Sequence, residues 1–141
     1  GWACAMTMNT QELPLRALEQ AVSWTASRGG ADGLIHHSDH GTQCIGTVYA
    51  TGVMEYGMLP STGTVGDSYD NAMAESADGA YKTELVWRRK PFQDLRDLEL
   101  ATFRWVSWWN SKRLHQSLGY RTPEQTETEY YANQAAQAAP L

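Results

Sequence analysis

The alternation of short apolar strands with longer amphipathic helices along this chain predicts a single domain of the α/β class. Two observations carry that prediction. At 141 residues the chain can bury a real hydrophobic core but is too short to expect two domains. Its apolar residues recur at helical spacing in some segments and in strand-length runs in others. After an opening helix, the order is strand, helix, strand, helix, helix.

Taken in order, the first helix is expected to be capped by Thr10 and to run to about Arg28, with Pro14 in its first turn, where a missing N–H costs little. Its buried stripe is Leu18, Ala21, Val22 and Thr25. The glycines of RGGADG break it, and LIHHS follows as a short strand. The two-residue period of a strand sends His37 and Asp39 to one side and His36 and Ser38 to the other. After the turn DHGTQ, a second helix is marked by Ile45, Val48, Tyr49, Gly52, Val53 and Tyr56, and Gly57 stops it. MLPST reads as a second strand whose proline assigns it to an edge or an early end.

GTVGD is then a loop, and Asp67 or Asp70 can cap a third helix over about residues 68–86. One face of that helix carries Tyr69, Met73, Ser76, Ala80 and Thr83, and the other Ala72, Glu75, Gly79, Lys82 and Val86. The last helix begins near Asp94 and buries Leu95, Leu98, Thr102, Trp105 and Trp109, with Arg96 and Arg104 outside the stripe. NSKRLHQSLGYRTPEQ leaves it through a polar turn, and YYANQAAQAAPL is weakly patterned. Residues 1–129 are therefore read as the domain and 130–141 as a frayed or disordered tail.

Composition excludes some functions. No apolar run approaches the 18 or more residues that span a bilayer, and the first ten residues lack the charged and apolar regions of a secretion signal. Cys4 and Cys44 form no CxxC or metal-ligand spacing and are read as reduced cytosolic thiols. The net charge of −5 hides an asymmetry: residues 1–79 carry two basic and nine acidic side chains, whereas residues 80–121 carry nine basic and four acidic. An acidic half beside a basic half suits a catalytic region next to a phosphate-binding surface. Arg88, Arg89, Lys90, Lys112, Arg113 and His115 are its candidate contacts. The six tryptophans are expected to be mostly core, with Trp108 the fair candidate for base stacking.

HHSDHG, residues 36–41, admits two readings. Three histidines and an aspartate within five positions could ligate a transition metal, as in a zinc hydrolase built on the His36–His40 cluster. Alternatively the motif presents the single carboxylate of Asp39 at the end of a strand, where side chains emerge into a crevice in α/β sheets. Glu75 follows after 35 intervening residues, between Ala72 and Gly79 on a small-residue face that a bulky polymer can approach.

HHSDHGTQ, the Glu75 of GDSYDNAMAES, Lys82 seven residues further on and the closing WWNSKRLHQSLGYRTPEQ together resemble the integrase catalytic core of bacterial insertion-sequence transposases. These belong to the Asp-Asp-Glu superfamily that includes retroviral integrases. The resemblance extends from the opening GW to about Glu129. It implies a ribonuclease H-like fold, metal-dependent DNA strand cleavage and strand transfer, Mg²⁺ or Mn²⁺ held by Asp39 and Glu75, and an adjacent DNA phosphate contacted by Lys82. It also implies a cytoplasmic bacterial protein that associates with the nucleoid when on DNA.

In that family the first aspartate and three opening strands normally precede the GW. The chain is therefore expected to be the C-terminal portion of a core without its opening strands, inactive alone and inclined to pair with a second copy along the open sheet edge. His40, Cys44 and Ala77 stand where the family commonly has Arg, Tyr and an aromatic residue. A non-catalytic DNA-binding or oligomerisation remnant of a transposase is the alternative from another functional class.

Overall fold

Pro14 cannot donate to a helical ladder, and the chain takes it up in a π-helical turn, Gln11–Leu15, that leads into α1, Arg16–Thr25. The computed structural model describes residues 1–7, 11–38, 47–61, 72–88 and 91–138, without the side chains of residues 11 and 12. Thr10, the expected cap, lies outside them. In α1 Leu18 is buried, and Ala21, Val22 and Thr25 are half-buried, as the periodicity requires. The helix ends three residues before Arg28. There Gly29 and Gly30 adopt φ of +98° and +78°, and the Gly30 N–H donates to the Thr25 carbonyl at 2.9 Å.

A parallel strand–helix–strand unit follows. β1, Ile35–His37, pairs with β2, Leu59–Ser61, in the register Ile35 to Leu59, His36 to Pro60 and His37 to Ser61. The connection runs through α2, Thr47–Glu55, as parallel strands demand. Among the described residues the sheet has two strands, so each has one unpaired edge, and Pro60 sits on such an edge as its missing N–H requires.

Gly57 ends α2 by a defined geometry. At φ +73° it donates to the Met54 carbonyl at 2.9 Å, while the Met58 N–H donates to that of Val53 at 3.2 Å. This is the Schellman arrangement, and it folds Met58 back onto Val53. Leu18, Ala31, Tyr49, Val53 and Met58 form the core, with Leu15 and Val22 packed on it, and Val53 is fully buried. Gly52 lets α2 approach closely, since a Cβ there would meet Leu15 Cδ2 at 3.0 Å. Val48 and Tyr56, expected on the buried stripe, are exposed, because only the Tyr49, Gly52 and Val53 side of α2 meets α1 and the strands. Ile45 lies outside the described residues. On the sheet itself Ile35 and Leu59 remain exposed.

α3, Ala72–Tyr81, passes into a second π-helical turn, Lys82–Val86. Neither segment contains a buried residue, and residues 68–71 of the expected helix, with both of its proposed caps, lie outside the described residues. The chain divides into two compact units, Gly1–Glu99 and Leu100–Leu141.

α4, Leu95–Ser111, starts where expected, with the Asp94 carboxylate accepting from the Asp97 N–H at 2.8 Å. Of the stripe expected to be buried only Thr102 is, together with Ala101; Leu95, Leu98, Trp105 and Trp109 are half-buried, and Arg96 and Arg104 are exposed as expected. The polar segment after it contains a 3₁₀ turn, Gln116–Leu118, and an antiparallel bridge between His115 and Arg121. It then starts a further helix, α5, Pro123–Ala138. Thr122 and Gln125 exchange side-chain to backbone hydrogen bonds of 3.2 and 2.9 Å, a capping box with proline at the first helical position. Every residue of α5 from 128 to 138 is exposed.

Candidate catalytic carboxylate and nucleic-acid interface

The parallel ladder runs one residue past β1, where the Ser38 N–H donates to the Ser61 carbonyl at 2.9 Å. It thus carries the chain to the carboxyl end of the sheet, the side on which α/β sheets place their ligands, immediately before Asp39. Asp39 and His40 themselves lie outside the described residues. The two preceding histidines are not equivalent. His36 is half-buried, its Nε2 2.9 Å from the Tyr49 hydroxyl and its ring 5.6 Å from the Tyr49 ring, whereas His37 is exposed. Burial holds the His36 imidazole below its ordinary pKa, with the neighbouring His37 a second cause in the same direction. Strand alternation and the Tyr49 partner therefore keep His36 from sharing an ion with His37. No group of three or more His, Cys, Asp or Glu able to hold a metal occurs among the described residues.

Glu75 is exposed on α3, and among the described residues no ion pair engages it. Gly79, one turn on, has open space where a Cβ would stand, and Ala72, one turn back, is exposed as well. The small-residue surface beside the carboxylate read from the sequence is thus present. Lys82 is bound to a neighbour the sequence reading did not single out: its Nζ lies 2.6 Å from Asp78 Oδ2, both side chains about half exposed. An exposed pair four residues apart on a helix stabilises by only about 0.3–0.5 kcal/mol, so the ammonium can exchange this partner for a phosphate at little cost. Arg88 is exposed beside Trp87, and Arg89 and Lys90 lie outside the described residues.

An open apolar groove of about 370 Å³ between α1 and β1, lined by Leu18, Val22, His36, Tyr49 and Met58 among others, has no Asp, Glu, Lys or Arg in its lining. It offers nothing for phosphodiester chemistry.

In the second unit the basic residues are organised around indoles. The Arg113 guanidinium lies over Trp109 at 4.3 Å and over Trp108 at 5.5 Å. Trp105 and Trp109 stack at 4.8 Å, and His115 meets the edge of Trp109 at 4.7 Å, with Nε2 3.3 Å from the Trp109 carbonyl. His115 thus faces the indoles, Arg113 lies against them, and Lys112 is exposed. The expectation that the tryptophans are mostly core is corrected: none of the six is buried, and Trp24, Trp87 and Trp108 are 64%, 72% and 44% exposed. An indole on a helix stripe reads as core from periodicity alone, whereas burial needs a neighbouring element to cover that stripe.

Comparison with known proteins shows the family. The Integrase core domain family matches residues 56–123, which include Glu75, Lys82, Lys112, Arg113 and His115. A protein of insertion sequence element IS986/IS6110 from Mycobacterium tuberculosis (strain ATCC 25177 / H37Ra) is 45% identical over 142 residues, covering 99% of this chain and 50% of its own length. The transposase for insertion sequence element IS629 from Shigella sonnei is 44% identical over 133 residues, covering 94% of this chain and 43% of its own. The transposase for insertion sequence element IS904 from Lactococcus lactis subsp. lactis (strain IL1403) is 32% identical over 96 residues, 67% of this chain and 38% of its own. The chain spans about half the length of the first of these relatives. By motif order, matched family and identity over nearly its whole length, it belongs to the insertion-sequence transposases with an integrase core.

Proposed function

We propose that this chain forms part of a ribonuclease H-like core that cleaves DNA strands and transfers them during transposition of an insertion sequence. The observation that carries the reading is Glu75: a carboxylate exposed among small residues on α3, inside the matched integrase segment, at the family spacing from Asp39. Hard divalent cations prefer oxygen donors, so these two carboxylates fit Mg²⁺ or Mn²⁺, which when bound polarises the phosphodiester and its attacking oxygen. Asp39 and Glu75 hold the ion, and Lys82 contacts the adjacent phosphate once released from Asp78. Arg88, Arg89 and Lys90 in the first unit, and separately Lys112 and Arg113 in the second, are further proposed phosphate contacts, with His115 buttressing Trp109 beneath Arg113.

Two carboxylates alone hold such a cation weakly, so the isolated chain is expected to be inactive. The proposed partner for the edges of β1 and β2 that are unpaired among the described residues, beside the exposed Ile35 and Leu59, is a second copy. A monomer mass in light scattering would count against that pairing.

The catalytic reading is tested by titrating Mn²⁺ into the chain by calorimetry. Asp39→Asn and Glu75→Gln are each expected to weaken binding by at least about tenfold. Equal binding by the parent chain and both variants would remove the metal site and leave the non-catalytic DNA-binding reading, which the cation and indole cluster of the second unit favours.

A further inference from the structure

The second unit contains a row of side chains that phosphate binding alone does not explain. Arg104, Trp108 and Lys112 follow one another at intervals of four, so they line one side of α4 and its extension, where the Lys112 N–H still donates to the Trp108 carbonyl at 2.9 Å. All three are exposed, and from first to last the row covers about 12 Å at 1.5 Å per residue. Arg113, over both indoles, restrains the Trp108 ring and leaves it 44% exposed. Residues 100–121 contain no Asp or Glu, so nothing in this stretch repels a polyanion. Arg121 is not part of the row, being paired with Glu129.

A cation, an indole and a cation in line recognise a chain in which charge and aromatic face alternate. Duplex DNA presents the charge but not the face, because each base is already stacked on its neighbours. Unpaired DNA presents both, and a base laid on an aromatic side chain gains stacking that no sequence preference limits. We propose that Trp108, flanked by Arg104 and Lys112, is a platform for unpaired DNA, with one base stacked on the indole and the adjoining phosphates held by the two cations. The proposal rests on the reading of the second unit as a phosphate-binding surface and adds the state of the DNA that it selects.

The test is fluorescence anisotropy of the full 141-residue chain with a labelled oligothymidylate of about 20 nucleotides and with a duplex of the same length. Trp108→Leu retains a strong helix former of substantial bulk and so leaves helical circular dichroism unchanged. It is expected to weaken single-strand binding by about tenfold or more, and duplex binding by less than about twofold. Trp108→Phe, which keeps an aromatic face, should recover most of the loss. Lys112→Ala should weaken both substrates and lower the salt slope by about one.

The platform is overturned if Trp108→Leu leaves single-strand binding unchanged, weakens both substrates alike, or is matched by Trp108→Phe. It is also overturned if Trp108→Leu disperses a self-associated form in light scattering while DNA binding is unaffected, since the indole would then face protein. Binding to neither substrate would remove the phosphate surface itself. Single-strand binding that depends on Lys112 but not on Trp108 would remove only the platform.

Discussion

Val53→Asp is expected to unfold the strand–helix–strand unit, lowering its stability by more than about 4 kcal/mol. Val53 is the one fully buried large side chain among the described residues, enclosed by Leu18, Ala31, Tyr49 and Met58. Aspartate is not larger than valine, so the loss comes from chemistry rather than overpacking. The apolar contacts disappear, and a carboxylate enters a site whose lining offers no cation. With a total stability of order 5–15 kcal/mol for a domain, such a change removes most of the margin. The Schellman turn amplifies it, because Met58 reaches the core only by folding back over Val53. Thermal unfolding followed by circular dichroism should lose its cooperative transition. Val53→Ala should cost only about 2 kcal/mol, and Met54→Lys, on the exposed neighbour, less than about 0.5 kcal/mol. Equal melting of Val53→Asp and Met54→Lys would show that this cluster does not hold the unit together.

DNA affinity is expected to fall about a hundredfold between about 50 and about 200 mM salt, if about four cations each displace a counterion. The sign is not obvious from the whole chain, whose net charge of −5 repels a polyanion at long range. Binding therefore depends on local surfaces, and the acid-free stretch from 100 to 121 is such a surface. With a Debye length of about 8 Å at physiological ionic strength, charges next to the bound phosphates outweigh the net charge of the chain. Charge reversal at Lys112 and Arg113 together should flatten the salt dependence by about two units of slope and weaken binding at low salt by about tenfold or more. Binding that is insensitive to salt would exclude phosphate contact as its source.

Periodicity and turn chemistry made much of this structure legible in advance. The stripe of α1 around Leu18, that of α4 around Thr102 and the stop at Gly57 stand where the sequence reading puts them, since each depends on residues within a turn or two. α5 was encoded equally locally, in the capping box of TPEQ, but its weak amphipathic pattern conceals the helix that follows. Pro14 produced a π-helical turn where a regular first turn is the simplest expectation.

The carboxylate spacing, the Lys82 offset and the closing tryptophan-rich motif were sufficient in the sequence alone to indicate the transposase family, because motif order survives without coordinates. Tertiary structure alone decided which side chains are covered. Strand alternation separates His36 from His37, but only the packing of α2 over the strands selects His36 for the Tyr49 hydroxyl. Helical spacing nominates Val48 and Tyr56 alongside Tyr49 and Val53, but the neighbours of α2 reach only one side of it. The same holds for Trp108, whose indole stays in solvent between two cations. Local sequence sets the direction in which a side chain points, whereas burial depends on what residues distant in the chain bring to meet it.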